Sequence, residues 1–277
     1  MRAFVFVSAL SLAFAGAAEA APARRVASLN LCTDELLLML AVPSQIISVT
    51  HLSHQATETR LWRHARRYRK NDGSLASVAA LRPDLVLGMG GGARDRMGIA
   101  ARLGAHTLDL PYPQSIADVE AAIRRVSDAL GRRAAGEAIL KQIATLRRTV
   151  PKDRPETIWL GGGGRTVPAS GLAAEWMTLA GFSQRRIIGD RVSLEQLLVR
   201  PPEVLLRSDY RNGQYSGGQR WLSHPLARGT SMRRWPVPRT GPSRAASRTI
   251  VSDGRPWTCM GPLMIAEALR LRGLRRR

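Results

Sequence analysis

The chain has 277 residues, enough for one large domain or two small ones, and 44% hydrophobic with 23% charged residues is the composition of a folded protein, not a disordered one. Its charge is lopsided: 42 Lys+Arg against 21 Asp+Glu leave +21 at pH 7, and every basic residue except Lys70, Lys141 and Lys152 is arginine. So strong a preference for arginine reads partly as coding bias, and charge alone leaves a nucleic-acid binder open.

The N-terminus argues against that partner. Met1-Arg2 is a short basic start, residues 3–18 are mostly apolar, and Ala18-Glu19-Ala20 supplies the small-x-small pattern of a cleavage site. Residues 1–20 are therefore expected to be a cleaved signal peptide and the remainder an exported, soluble protein, since no later stretch is apolar enough to span a bilayer. Leu29-Asn30-Leu31-Cys32 superficially resembles a lipid-attachment site, but Leu31 is bulky and the apolar run is distant.

Strand-like runs then alternate with helical patterns. Residues 25–29, 46–50, 85–87 and 106–110 read as buried strands; residues 34–40, 75–81 and 95–103 read as helices, the last closed by Gly104. Ser115 to Arg148 is a long helical tract with Ile116, Val119, Ile123, Val126 and Leu130 at helical spacing, broken or bent at Gly131. Beyond Pro151, residues 157–160, 204–206 and 249–251 read as strands, and 172–179, 194–199 and 263–271 as helices. Alternation of this kind implies parallel strands covered by helices.

The two series resemble each other. SLASVAALRPDLVL (Ser74 to Leu87) and SLEQLLVRPPEVLL (Ser193 to Leu206) share a Ser at a helix start, an apolar stripe, a Pro break, an acid and a short apolar strand. The expected fold is α/β, with two Rossmann-like lobes of mainly parallel sheet joined by a long backbone helix. The expected divisions are 1–20 signal peptide, 21–113 first lobe, 114–150 linking helical tract and 151–277 second lobe.

In open parallel sheets ligands collect beyond the carboxyl ends of the strands. That rule selects Asn30, Cys32 and Thr33 after the first strand, His51 after the second, Met89 and Gly90 after the third and Tyr112 after the fourth. In the second lobe it selects the Gly161–Arg165 stretch, including Gly162, Gly163 and Arg165, then Tyr210, then Trp257 and Cys259. Each has a plainer reading. The glycines are either room for a ligand and N–H groups for an anion or a flexible turn. Arg165 and Arg207 are either partners for a carboxylate or catecholate or solvated surface groups. Tyr210 and Trp257 are either flat faces for a macrocycle or core aromatics. Cys32 and Cys259 are either bridged, as exported cysteines often are, or free thiols lining the cleft; free thiols are preferred because a bridge would staple the lobes. His51 and His54 with His224 are too few for a metal site, no hydrolase or metalloprotease motif stands out, and no resident cofactor is expected.

Three further stretches carry a resemblance. Arg25 to Leu37 (RVASLNLCTDELL), Ala80 to Leu87 (ALRPDLVL) and Trp257 to Pro262 (WTCMGP), with Arg102-Leu103-Gly104, resemble the iron-complex and vitamin-B12 type periplasmic substrate-binding proteins of ABC importers, over about residues 24 to 272. The resemblance implies two lobes on a helical backbone, no catalysis, and a monomer that holds a ferric siderophore, haem-like or corrinoid ligand and hands it to a transmembrane permease. It implies a docking glutamate on each lobe. Glu195 matches in the second, but Ala76 stands at the corresponding first-lobe position. The segment from Arg228 to Arg248, with six arginines and no acid, fits the family poorly and is expected to be a loop. The alternatives are a basic nucleic-acid or envelope-surface binder and a metal-dependent enzyme.

Overall fold

A computed structural model describes residues 21–90, 94–102, 104–209 and 247–275. Residues 1–20, expected to be a signal peptide, Tyr210, His224 and all but the last two residues of the arginine-rich segment lie outside them.

The first sheet is made by β1 (Val26–Ser28), β2 (Ile46–Thr50), β3 (Arg69–Asn71), β4 (Leu85–Met89) and β5 (His106–Leu110), all parallel, in the order β3-β2-β1-β4-β5. Its helices are α1 (Leu31–Leu40), α2 (Trp62–Ala65), α3 (Ala76–Ala79) and α4 (Arg94–Arg102). The central strand β1 is buried at every residue, as expected for a sheet covered on both faces. β3 carries the polar run Arg-Lys-Asn and has no apolar pattern by which sequence could reveal it. It forms at the sheet edge, where Arg69 and Lys70 reach water while Asn71 is buried and donates to Ser28 O and Ser48 Oγ.

The linking tract is not one continuous rod. α5 (Ile116–Ala129) and α6 (Arg133–Arg148) fold back on each other at Gly131. The turn takes φ +64 there, and an added Cβ would sit 2.7 Å from Pro22, so glycine is required on both counts. Antiparallel packing shows in the Arg147–Glu120 ion pair at 2.6 Å and in the approach of Gly136 to Ser127. α5 opens with a capping box between Ser115 and Asp118, and its first N–H also reaches Glu175 Oε2 at 2.7 Å.

The second sheet comprises β6 (Glu156–Leu160), β7 (Ser183–Gln184), β8 (Val204–Asp209) and β9 (Arg248–Asp253), parallel in the order β7-β6-β8-β9. Its helices are α7 (Leu172–Leu179), α8 (Leu194–Val199), α9 (Pro256–Cys259) and α10 (Met264–Arg275). The repeated Ser-initiated units occupy the same place in each lobe. α3 precedes β4, α8 precedes β8, and β4 and β8 lie beside β1 and β6 respectively.

One apolar core runs through both lobes. Val26, Leu37 and Leu40 of the first, Ile123 and Ile143 of the hairpin, and Trp176, Leu206 and Met264 of the second belong to a single buried cluster. Two lobes sharing a core do not separate like independent domains, because separation would expose apolar surface at roughly 25 cal/mol per Å².

Candidate ligand-binding face

In each sheet the chain moves outward in opposite directions from an inner pair of strands, β1 and β4 in the first and β6 and β8 in the second. Crevices open beyond the carboxyl ends of such pairs.

At the exit of β1 the structure uses the selected residues to start a helix. α1 begins three residues earlier than its apolar pattern suggests. Asn30 is its N-cap, accepting the Cys32 N–H at 2.8 Å. Thr33 is fully buried, its hydroxyl 2.7 Å from Ser28 Oγ and 2.9 Å from Asn30 O, so it holds the helix start and offers no face to a ligand. Cys32 is bonded to Cys259, with Cα atoms 5.2 Å apart. The preference for free cleft thiols is therefore corrected. The first turn of α1 and the last residue of α9 meet, and the two cysteines staple the strand-exit rims of the two sheets.

Charge reinforces the staple. Arg60, between β2 and α2, reaches across to Asp253 at the end of β9 (2.7 Å) and to buried Glu267 of α10 (2.5 Å). Arg255 joins Asp253 to the Ala56 carbonyl oxygen. Burial alone would raise the Asp253 carboxyl, but hydrogen bonds from Arg255 and Arg60 outweigh it and hold the group well below the usual carboxylate range. Asp34 and Glu35 behave in the opposite way. Burial pushes them up to about 6 and about 8, against the hydrogen bonds that Thr50 gives Asp34 and Thr59 gives Glu35. Glu35 is thus mostly neutral at pH 7.

His51 is exposed where the chain leaves β2 into a turn of 3₁₀ helix. Met89 is half-buried against the main core. Gly90 and Tyr112 come together. Gly90 has φ +101, its N–H donates to Leu110 O at 2.8 Å, and an added Cβ would lie 2.4 Å from the Tyr112 ring. The ring rests on bare backbone and remains 58% exposed, a flat aromatic surface at the sheet's carboxyl edge.

In the second lobe the turn after β6 closes on itself, Gly161 N–H donating to Arg165 O at 2.8 Å, with Gly162 and Gly163 exposed. Arg165 stands opposite Arg191 in an isolated antiparallel bridge. Thr166 N–H to Asp190 O (3.0 Å) and Val192 N–H to Gly164 O (2.8 Å) flank it, so the two arginines form the close, non-hydrogen-bonded kind of pair, side chains on one face. Like charges directly opposite oppose pairing, and both side chains are exposed. Arg191 is the residue sequence reasoning missed, because only the bridge brings it to Arg165.

Trp257 belongs to the core. It is 7% exposed, its Nε1–H donates to Ser252 Oγ at 2.8 Å, and its ring lies 5.5 Å from that of Trp159. Trp159, also missed, packs on Gly161, and its buried Nε1 has no hydrogen-bond partner among the described residues. An aromatic two positions before the glycine run was the available signal.

Among the described residues no three His, Cys, Asp or Glu side chains converge as a metal site, and no helix is long and apolar enough to cross a membrane. Glu195 is exposed near the start of α8, its carboxyl held below its ordinary pKa by the Ser193 hydroxyl; Ala76 is exposed at the start of α3.

No curated protein sequence is significantly similar to the chain. Solved structures are similar in fold. The periplasmic heme binding protein HutB of Vibrio cholerae is 15% identical with a TM-score of 0.67, over 91% of this chain and 99% of that one. The periplasmic vitamin B12 binding protein BtuF of Vibrio cholerae is 15% identical with a TM-score of 0.62, over 91% and 96%. The periplasmic heme-binding protein BhuT, in complex with two hemes, is 18% identical with a TM-score of 0.63, over 91% and 97%. A family model described as periplasmic binding protein matches residues 26–231, most of the chain, including the first sheet and all of the second but β9. With two parallel sheets meeting at their carboxyl rims, the chain belongs to the periplasmic binding protein family.

Proposed function

We propose that the chain is the substrate-binding component of an ABC importer, exported to the periplasm, where it holds a metal chelate (ferric siderophore, haem-like or corrinoid) and hands it to a transmembrane permease. The observation that carries this reading is the Cys32–Cys259 bridge, which brings the strand-exit ends of the two sheets together. A molecule lodged there meets the rims of both. Three fold neighbours, binding proteins for vitamin B12 and for heme, agree with a flat macrocyclic or chelate guest.

The chemistry of the rims supports the ligand class. Tyr112 offers an aromatic face on Gly90, Arg165 and Arg191 together favour an anion, and the Trp159 indole N–H lacks an acceptor among the described residues. His51 and Met89 complete the first-lobe rim, and Gly162 and Gly163 leave room beside the arginines. The role of Tyr210 rests on its position after β8. Docking falls to Glu195 on the second lobe, with Ile188 and Val199 as exposed apolar neighbours in sequence.

Tryptophan quenching tests the reading. Titration with ferric catecholates, haem and cyanocobalamin is expected to give saturable quenching by one of them. Replacing both arginines (Arg165→Gln, Arg191→Gln) should weaken that binding about 10- to 100-fold, the loss expected for one charge-assisted hydrogen bond of about 1.5–3 kcal/mol. Quenching by none of the three overturns the function; quenching unaffected by the double variant overturns the assignment of the arginines.

A further inference from the structure

The first lobe carries a concentration of unpaired positive charge in residues 60–70, a stretch that the ligand assignment does not use. Residues 60–70 include Arg60, Arg63, Arg66, Arg67, Arg69 and Lys70 and no acid. Arg60 turns inward to the lobe clamp. The other five are exposed, and none makes an ion pair or side-chain hydrogen bond among the described residues.

Several arginines elsewhere are engaged. Arg25 and Arg272 bind carbonyl oxygens, and Arg185 and Arg270 bind carboxylates as well. The nearest acid after the run, Asp72, is engaged by the Ser74 N–H at 2.8 Å. The cations spread over α2 and along β3, which is the open edge of the first sheet.

Trp62 sits among them, half-buried, with the Arg63 and Arg66 guanidinium carbons 4.7 and 4.6 Å from its ring centroid. The charge also reaches the nearby histidines. His54 and His64 are held below their ordinary pKa by burial first and then by neighbouring Lys70, Arg66 and Arg67.

We infer that the α2–β3 edge is a docking surface for an anionic phospholipid bilayer. A protein partner would need carboxylates fixed opposite each cation. A sheet of lipid phosphates needs no such register and suits five solvated cations spread over one edge. Trp62 supplies the amphipathic ring that settles at headgroup depth, with guanidinium groups beside it for the phosphates. Such a surface would hold the protein in the plane of the membrane, where a partner embedded in the bilayer is found by two-dimensional diffusion.

The test is sedimentation of the chain without its leader (residues 21–277) with vesicles of 30 mol% phosphatidylglycerol in phosphatidylcholine, against phosphatidylcholine alone, at about 0.1 M and 0.5 M salt. Binding is expected only to the anionic vesicles and to weaken at high salt. The patch variant Arg63→Gln, Arg66→Gln, Arg67→Gln should bind about a hundredfold more weakly, at about fivefold per cation. A control of equal charge on the hairpin, Arg124→Gln, Arg125→Gln, Lys141→Gln, should stay within about threefold of the parent. Trp62→Phe should keep most of the binding and lose part of the blue shift in emission. Circular dichroism verifies that each variant is folded. Equal losses in the two triple variants would assign the effect to net charge and overturn the proposal. Absence of binding to anionic vesicles would overturn it too, leaving an acidic protein as the partner.

Discussion

The Cys32–Cys259 bridge closes a loop of 227 residues, most of the chain. A cross-link stabilises chiefly by restricting the unfolded chain, and the chain-entropy relation gives about 5 kcal/mol for a loop of this length. Replacing both cysteines (Cys32→Ser, Cys259→Ser) should therefore lower the unfolding free energy by about 2–5 kcal/mol, the lower end applying where the unfolded chain retains structure. Both proteins should unfold in one transition, because a single apolar cluster joins the lobes. The denaturant slope should rise in the variant, whose unfolded state expands further once untied. The assay is urea unfolding followed by tryptophan emission, preceded by thiol titration in denaturant without reductant. No thiol should react before reduction and two after it. Two reactive thiols in the unreduced protein would refute the bridge, and a stability loss below about 1 kcal/mol would refute its role as the staple.

Two further outcomes follow from the same region. Burial raises Glu35 to about 8 and Asp34 to about 6, above their unfolded values, so the folded state binds more protons over the interval between. Stability should then fall as pH rises from about 4.5 to about 8, by up to about 1.4 kcal/mol per pH unit for each proton, and Glu35→Gln should flatten that slope in thermal unfolding at stepped pH. Asp253 and Glu267 are shifted down, so their contribution is lost at the acid end, and the stability maximum should lie between the two limbs. Gly90→Ala places a methyl group 2.4 Å from the Tyr112 ring at φ +101, which should displace the ring, cost about 1–3 kcal/mol and weaken binding of whichever chelate quenches the parent.

What sequence made legible was whatever had periodicity. The apolar runs at β1, β2, β4 and β5, the Ser-started helices before β4 and β8, and the break at Gly131 all follow from local pattern. β3 and β7 were hidden because their residues are polar and pair only at edges, where side chains carry no hydrophobic signal. The interior of α1 was plain, yet its first turn was not. Asn30, Cys32 and Thr33 have the chemistry of a ligand loop and also of a helix cap, and only the Ser28 and Cys32 contacts decide between them. The free-thiol expectation failed by assuming that a staple between the lobes would impede closure or release. Arg191 and Trp159 were invisible for a third reason: each gains meaning from a partner across the fold, Arg165 for one and Trp257 for the other.

A shared core, a covalent staple and the Arg60 clamp together narrow how this protein can respond to a guest. Wide separation of the lobes would break the Cys32–Cys259 bond, strand the buried Glu267 carboxylate without Arg60, and expose the apolar cluster between α1, the hairpin and α7. Elements outside those ties are freer. The Gly161–Arg165 turn is closed by the Gly161 N–H to Arg165 O bond and joined to Arg191 by a short bridge, and Tyr112 rests on Gly90 with more than half its surface in water. Entry and release of a ligand are therefore expected to work through these rim segments while the sheets stay fixed. The two sheets then keep a constant geometry relative to each other as a ligand enters and leaves.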